Sequence, residues 1–221
     1  MGGMIINPFM EFPVASGPKT VALLHMQGLN GGVLFPDDIV ANTWTPSNAV
    51  TSTGIVNFGT SSGDFNSDPT ATLTSGGAIS LGSGDFTIEC FIYPSGGSFD
   101  IITCAVGSNR MGWAFNGTYF RVGNITSWSI NLTNSTGLIN AAWNHVAIVK
   151  TGTQTFKSFI NGTLKDTTTA PGAFIDPNNI FIIGKGNLYA TTSNNFDEFR
   201  ISNIARYSGN FTPPAAPFVL D

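Results

Sequence analysis

Phe86, Ile88, Cys90 and Ile92 of "DFTIECFIYP" fall on one side of an extended backbone, and Thr87, Glu89, Phe91 and Tyr93 on the other. "AAWNHVAIVK" alternates in the same way, with Trp143, His145, Ala147 and Val149 against Asn144, Val146 and Ile148. Apolar residues on both sides predict a central strand covered on both faces. A period of two cannot form the apolar stripe of a helix, so these segments require a pleated sheet. "GWAFNGTYFRV" and "TFKSFINGTLKD" each set Asn-Gly between two such runs, the pattern of a two-residue hairpin turn whose central residues need positive φ. With 18 Phe, 26 Gly and 12 Pro in 221 residues, the composition favours strands joined by tight turns.

"TVALLHM", "IVNF", "ATLTSGGAISL", "DIITCAV", "NIFIIG" and "NFDEFRIS" supply further strands, and there is no heptad, tandem repeat or long helical pattern. The expected class is all-β, a two-sheet antiparallel β-sandwich with one core. A chain of this length buries roughly 70% of its unfolded surface and needs neither disulfide nor metal to fold. The expected boundaries are an extended apolar arm over 1–19, the sandwich over 20–207 and a Pro-rich tail over 208–221. The arm carries Ile5, Ile6, Phe9, Phe12 and Val14 between Pro8, Pro13 and Pro18, so it docks either along its own domain or on a neighbouring subunit. Phe218 and Leu220 of the tail offer the same kind of docking contact. "DIITCAV" is expected to return across "PSGGSFD" as the partner of "DFTIECFIYP", which would set Cys90 opposite Cys104. In apolar strands both are read as reduced thiols rather than as a disulfide.

A net charge of −4 without any basic run argues against nucleic acid as a partner. No stretch approaches the roughly 18 apolar residues of a membrane span, and the start lacks the pattern of an export signal, so a soluble chain is expected. Six Asn-x-Ser/Thr triplets, at Asn116, Asn124, Asn131, Asn134, Asn161 and Asn210, are read as turn composition.

Charge is concentrated in "NFDEFRISNIARYSGNFTPP", which holds Asp197, Glu198, Arg200 and Arg206. Period two puts Asp197 with Phe199 and Ile201, facing the core, where a carboxylate must be hydrogen-bonded, paired or bound to a cation. Two readings stand: Asp197 accepts backbone N–H groups from a nearby loop, or it binds a structural Ca2+. Glu198 and Arg200 are read as an ordinary surface pair. Glu89 is read as a sheet-surface residue. Asp85, roughly 13 Å away along the strand, sits in the turn "GSGD", too far off to complete a glycosidase carboxylate pair. "GTSSG" matches G-x-S-x-G outside the strand-to-helix setting that gives that motif meaning. His25 and His145 are read as hydrogen-bonded structural residues. No catalytic residue is assigned. Trp128 and Tyr189, loop aromatics beside amide groups, are the glycan-binding candidates.

"LLHMQGLNGG", "DFTIECFIYP", "WNHVAIVKTGTQTFKSFINGTLK" and "FDEFRISNIARYSGNFTPPAAPF" together resemble the laminin-G-like, concanavalin A-like jelly-roll domains found in tailed-bacteriophage virion proteins, over Val21 to Pro217. The resemblance implies that the first and last strands lie side by side. It implies that Asp197 matches a position that can hold a structural Ca2+ together with groups near the first strand, although Gln27 stands where an acidic residue is frequent. It implies a non-enzymatic structural protein on the virion surface, a capsid decoration or accessory fibre component held to other virion proteins by its arm. The alternative it implies is an adhesin that binds host surface glycans. No other cofactor is expected, and self-association of copies is compatible with either role.

Overall fold

The structure, a computed structural model, describes residues 19–68, 70–96, 99–104, 109–115, 119–124, 128–133, 137–170, 174, 176, 178–184 and 194–221; between 99 and 133 it describes side chains at 101–104, 113 and 132. Among these residues there are fifteen strands and no helix. The N-terminal arm with Ile5, Ile6, Phe9 and Phe12 lies outside the described residues, as does Tyr189.

One sheet holds eight strands: β1 (Thr20–Leu24), β3 (Val50–Ser52), β4 (Ser62–Asp64), β6 (Phe86–Pro94), β11 (Asn144–Thr151), β12 (Thr155–Ile160), β13 (Thr163–Thr169) and β15 (Asn194–Ser202). Its order is β13-β12-β11-β6-β15-β4-β3, with β1 also paired to β15. The second sheet, ordered β10-β9-β8-β7-β14-β5-β2, holds β2 (Trp44–Ser47), β5 (Thr72–Ile79), β7 (Phe99–Cys104), β8 (Asn109–Phe115), β9 (Tyr119–Asn124), β10 (Trp128–Thr133) and β14 (Asn179–Gly184). Every pairing between these strands is antiparallel. The first and last strands are neighbours, with Leu24 opposite Phe199 and Leu23 opposite Arg200.

The core lies between the sheets. Phe86, Ile88, Cys90 and Ile92 of β6 enter it, as the alternation requires, together with Val146, Ile148, Phe156, Phe196, Phe199 and Ile201 from neighbouring strands and Leu73, Trp113, Phe181 and Ile183 from the opposite sheet. The expected pairing of "DIITCAV" with "DFTIECFIYP" does not form. Both edges of β6 are taken, by β11 and β15, so the chain crosses after Pro94 and β7 joins the second sheet beside β14 and β8. Cys90 and Cys104 are therefore in different sheets, both free and both buried. Burial pushes both thiols up, Cys104 to about 12, which leaves them unreactive at neutral pH.

Of the two Asn-Gly turns, that at Asn161–Gly162 is described, and both residues take positive φ, 49° and 72°. Gly162 is required for a second reason, since a Cβ there would overlap the carbonyl of Phe211. Residues 203–221 form a strap over the outer face of the first sheet, the face turned away from the core. Phe211 N donates to Gly162 O at 2.9 Å, and Tyr207 stacks on Phe211 with ring centroids 3.5 Å apart. Ala205, Tyr207 and Phe211 pack on Ala147, Val149 and Phe159, and Phe218 packs on Leu23 and Phe91. β6, β11 and β15 are thus covered on both sides.

Candidate functional site

The charge of the last strand is drawn into this covered layer by a bulge. Glu198 has φ of 51°, and the register between β15 and β6 slips between Asp197 and Arg200. Simple alternation is broken there. Phe196, Phe199 and Ile201 face the core, whereas Asp197 and Arg200 pair with Phe91 and Glu89 on the outer face. The expectation that Asp197 points with Phe199 and Ile201 is corrected by that one inserted residue. The expected Glu198–Arg200 surface pair is corrected as well: both are buried, and each has another partner.

Glu89 is the centre of the network. Expected on the sheet surface, it is fully buried under the strap. Its Oε1 accepts Arg200 Nε at 2.9 Å and Nη2 at 2.6 Å, and its Oε2 accepts the Tyr207 hydroxyl at 2.7 Å and His145 Nε2 at 3.0 Å. Burial would raise the Glu89 carboxyl, but the His145 hydrogen bond and the Arg200 guanidinium outweigh it and hold the group below the usual carboxylate range. The Arg200 guanidinium carbon also lies 3.9 Å from the Phe218 ring centroid. Arg206 reaches both Asp221 oxygens, at 3.1 and 2.9 Å, closing the strap against β1 at Thr20. The Glu89 carboxylate is thus spent inside this network and closed off from solvent.

A second cluster lies where β1 runs out. His25 Nδ1 donates to Glu198 at 2.8 Å and Nε2 to Asp38 at 3.2 Å, and the Glu198 hydrogen bond, chief among these contacts, lifts its pKa to about 9 against the cost of burial. Glu198 Oε2 also accepts Phe218 N at 2.8 Å. Asp197 Oδ2 accepts Phe58 N at 3.0 Å and Oδ1 accepts Glu198 N at 3.0 Å; burial outweighs these bonds and pushes its pKa up to about 7. Next to it, Gln27 Nε2 donates to the carbonyls of Ser61, His25 and Phe58 at 2.8, 3.0 and 3.1 Å, while Oε1 accepts Thr60 N at 2.8 Å and Ser61 N at 3.3 Å. Of the two readings of Asp197, these bonds fit acceptance of loop N–H groups. They do not fit a Ca2+ ion: both Asp197 oxygens serve backbone donors, and the converging carbonyls already receive Gln27. No group of three His, Cys, Asp or Glu side chains that could hold a metal occurs among the described residues.

Asp197 and His25 both have folded-state pKa values raised above their ordinary ones, so both favour folding when protonated. The Asp197 contribution is complete below about pH 4 and lost as pH rises through about 7; that of His25 is complete below about pH 6.5 and lost through about 9. Denaturant unfolding is expected to give lower stability at about pH 9 than at about pH 5. In Asp197→Asn and His25→Asn the decline should shrink, each within its own window.

The remaining expected residues are dispersed. Trp128 opens β10, the edge strand of the second sheet, with its backbone paired to Gly123. Ser61 of "GTSSG" has a buried hydroxyl that donates to Met26 O and accepts Gly28 N, so its proton is held by a backbone carbonyl. Asp85 accepts Gly152 N in a turn. Phe218, expected to dock on a partner, is 4% exposed against its own sheet, because Arg200, Phe91 and Leu23 present it with an apolar and cationic seat; Leu220 stays 48% exposed. An open polar hollow of about 200 Å³ beside β5, lined by Asn42, Thr43, Ser75 and Gly76, is apart from all of these.

Residues 65–209 match the family model of the concanavalin A-like lectin/glucanases superfamily, more than half of the chain. The chain belongs to this superfamily. Similar solved structures extend the likeness. The binding domain of Paraclostridial Mosquitocidal Protein 1 has a TM-score of 0.67 at 16% identity, over 86% of this chain and 50% of that one. Domain 4 of AbnA, a GH43 extracellular arabinanase from Geobacillus stearothermophilus solved in complex with arabinotriose, has a TM-score of 0.61 at 16% identity, over 89% of this chain and 95% of that domain. The binding domain of Botulinum Neurotoxin DC in complex with SialylT gives 0.60 at 13% identity, over 86% and 49%. At these identities the likeness is one of fold, and the chain spans about half the length of the toxin domains. No curated protein sequence matches the chain. The superfamily's jelly-roll topology accounts for the adjacency of β1 and β15.

Proposed function

We propose that this superfamily member is a non-enzymatic glycan-binding module carried on the surface of a tailed-bacteriophage virion. The superfamily spans lectins and glucanases, and the burial of Glu89 is the observation that favours the lectin side: the one carboxylate in the body of β6 is spent on Arg200, His145 and Tyr207. Hydrolysis of a glycoside needs two carboxyl groups flanking an accessible bond. Binding needs only a stacking aromatic and a few polar groups. The likeness to the domain complexed with arabinotriose, over nearly its whole length, supports the same reading. Trp128, on an edge strand, and Tyr189 are the proposed platform residues. Attachment to other virion proteins is assigned to the arm over 1–19 and the exposed Leu220, and the "ARYSGNFTPP" ending supports the phage context by resemblance.

The full chain on a glycan array should bind a defined glycan without turnover, and Trp128→Ala or Tyr189→Ala should abolish that binding. Released sugar product would overturn the lectin reading. Binding to nothing would leave a purely structural virion component, recognised by a chain lacking 1–19 that folds but no longer joins particles.

A further inference from the structure

We infer that Gln27 does the work of a bound cation, so that the loop Gly54–Ser62 is clamped without metal and a single substitution would turn the clamp into a Ca2+ site. Three backbone carbonyls, of His25, Phe58 and Ser61, converge within 3.1 Å of one atom, Gln27 Nε2. Carbonyl oxygens that converge repel one another unless a positive centre sits among them. An amide nitrogen has two hydrogens, so at least one is shared among the three acceptors. The orientation of the amide is set by its partners, since Oε1 faces the N–H groups of Thr60 and Ser61 and only the nitrogen can face carbonyls. Gly59 has φ of 67°, and a Cβ there would collide with the Gln27 amide, so the loop is wrapped closely around that side chain. The loop then hands Phe58 N to Asp197 and lays the Phe58 ring on Phe91, with centroids 5.1 Å apart. Carbonyls with an adjacent carboxylate are the ligand set a Ca2+ ion takes. Here a neutral donor already fills the middle of the set. The same device recurs at Lys150, whose Nζ donates to the carbonyls of Ser83, Gly84 and Gly152 at 2.9, 2.6 and 2.7 Å.

Glutamate at position 27 would keep the oxygen that accepts Thr60 N and Ser61 N while replacing the donor by an anionic acceptor. The test is thermal unfolding of the full chain, wild type, Gln27→Glu and Gln27→Leu, each in EDTA and in millimolar CaCl2. Wild type is expected to melt at the same temperature in both. Gln27→Glu should melt roughly 5 to 10 °C lower in EDTA and recover at least half of that loss with calcium, whereas Gln27→Leu should be lowered and not recover. Should Gln27→Glu fold only when calcium is present, the inference is likewise supported. A calcium shift in wild type, or a Gln27→Glu chain that calcium neither folds nor restores, would overturn it. None of these outcomes depends on glycan binding.

Discussion

Glu89→Gln is expected to lower the unfolding free energy by about 3 to 5 kcal/mol, the usual cost of removing one member of a buried ion pair. Arg200 cannot give up its proton, and its Nε and Nη2 both donate to Glu89 Oε1. A neutral amide can present its oxygen to Arg200 only by turning its NH2 group toward Tyr207 and His145, which now donate to Glu89 Oε2. The Tyr207 hydroxyl can rotate to accept, but His145 then either meets the amide with Nε2–H or moves its proton to Nδ1, which is buried without a partner, and in either case the Arg200 charge loses its counter-ion. For a domain of this size the loss corresponds to a fall in melting temperature of roughly 6 to 20 °C. Denaturant titration with an unchanged slope is the check. A loss below about 1 kcal/mol would mean that the network is worth no more than an exposed pair. Inactivity of a Glu89→Gln protein would therefore bear on catalysis only once that protein had been shown to be folded.

Deletion of 209–221 is expected to abolish cooperative folding rather than to release a docking peptide from an intact domain. The buried Phe218 and the half-buried Phe211 leave together; truncating a buried aromatic costs about 3 to 5 kcal/mol and loss of the half-buried ring adds to it, against a total stability of about 5 to 15 kcal/mol for a typical domain. Leu23, Phe91 and Phe159 would be uncovered, Arg206 would lose Asp221, and Arg200 would lose the ring 3.9 Å away. Near-ultraviolet circular dichroism and a melting curve decide it. A sharp transition within a few degrees of the full chain would restore the tail to the role of an accessory contact. Phe218→Ala alone is the graded version, with an expected loss of about 3 to 5 kcal/mol.

Some of this was legible beforehand. The alternation in "DFTIECFIYP" set Ile88 and Cys90 on one face, "AAWNHVAIVK" marked a central strand covered on both sides, and Asn161–Gly162 marked its own turn, because these signals are written within a few residues of backbone. The side-by-side first and last strands were reached only through family resemblance. The bulge at Glu198 was not legible: nothing in "FDEFR" marks a residue with positive φ. It is held there by groups far along the chain, His25 and the amide of Phe218.

What the amino-acid sequence determined alone is the class, the central strands and the shared face of Phe86, Ile88, Cys90 and Ile92, since a period of two admits one geometry and local sterics enforce it. What the tertiary structure decided is the fate of the outer face. Parity marks Glu89 and Arg200 as outward, and outward ordinarily means wet. These two residues meet across 111 positions, and Tyr207 closes over Glu89 across 118. Only when the strap lies on the sheet does an outward carboxylate become a buried one, because burial is set by which distant segment takes the place of water.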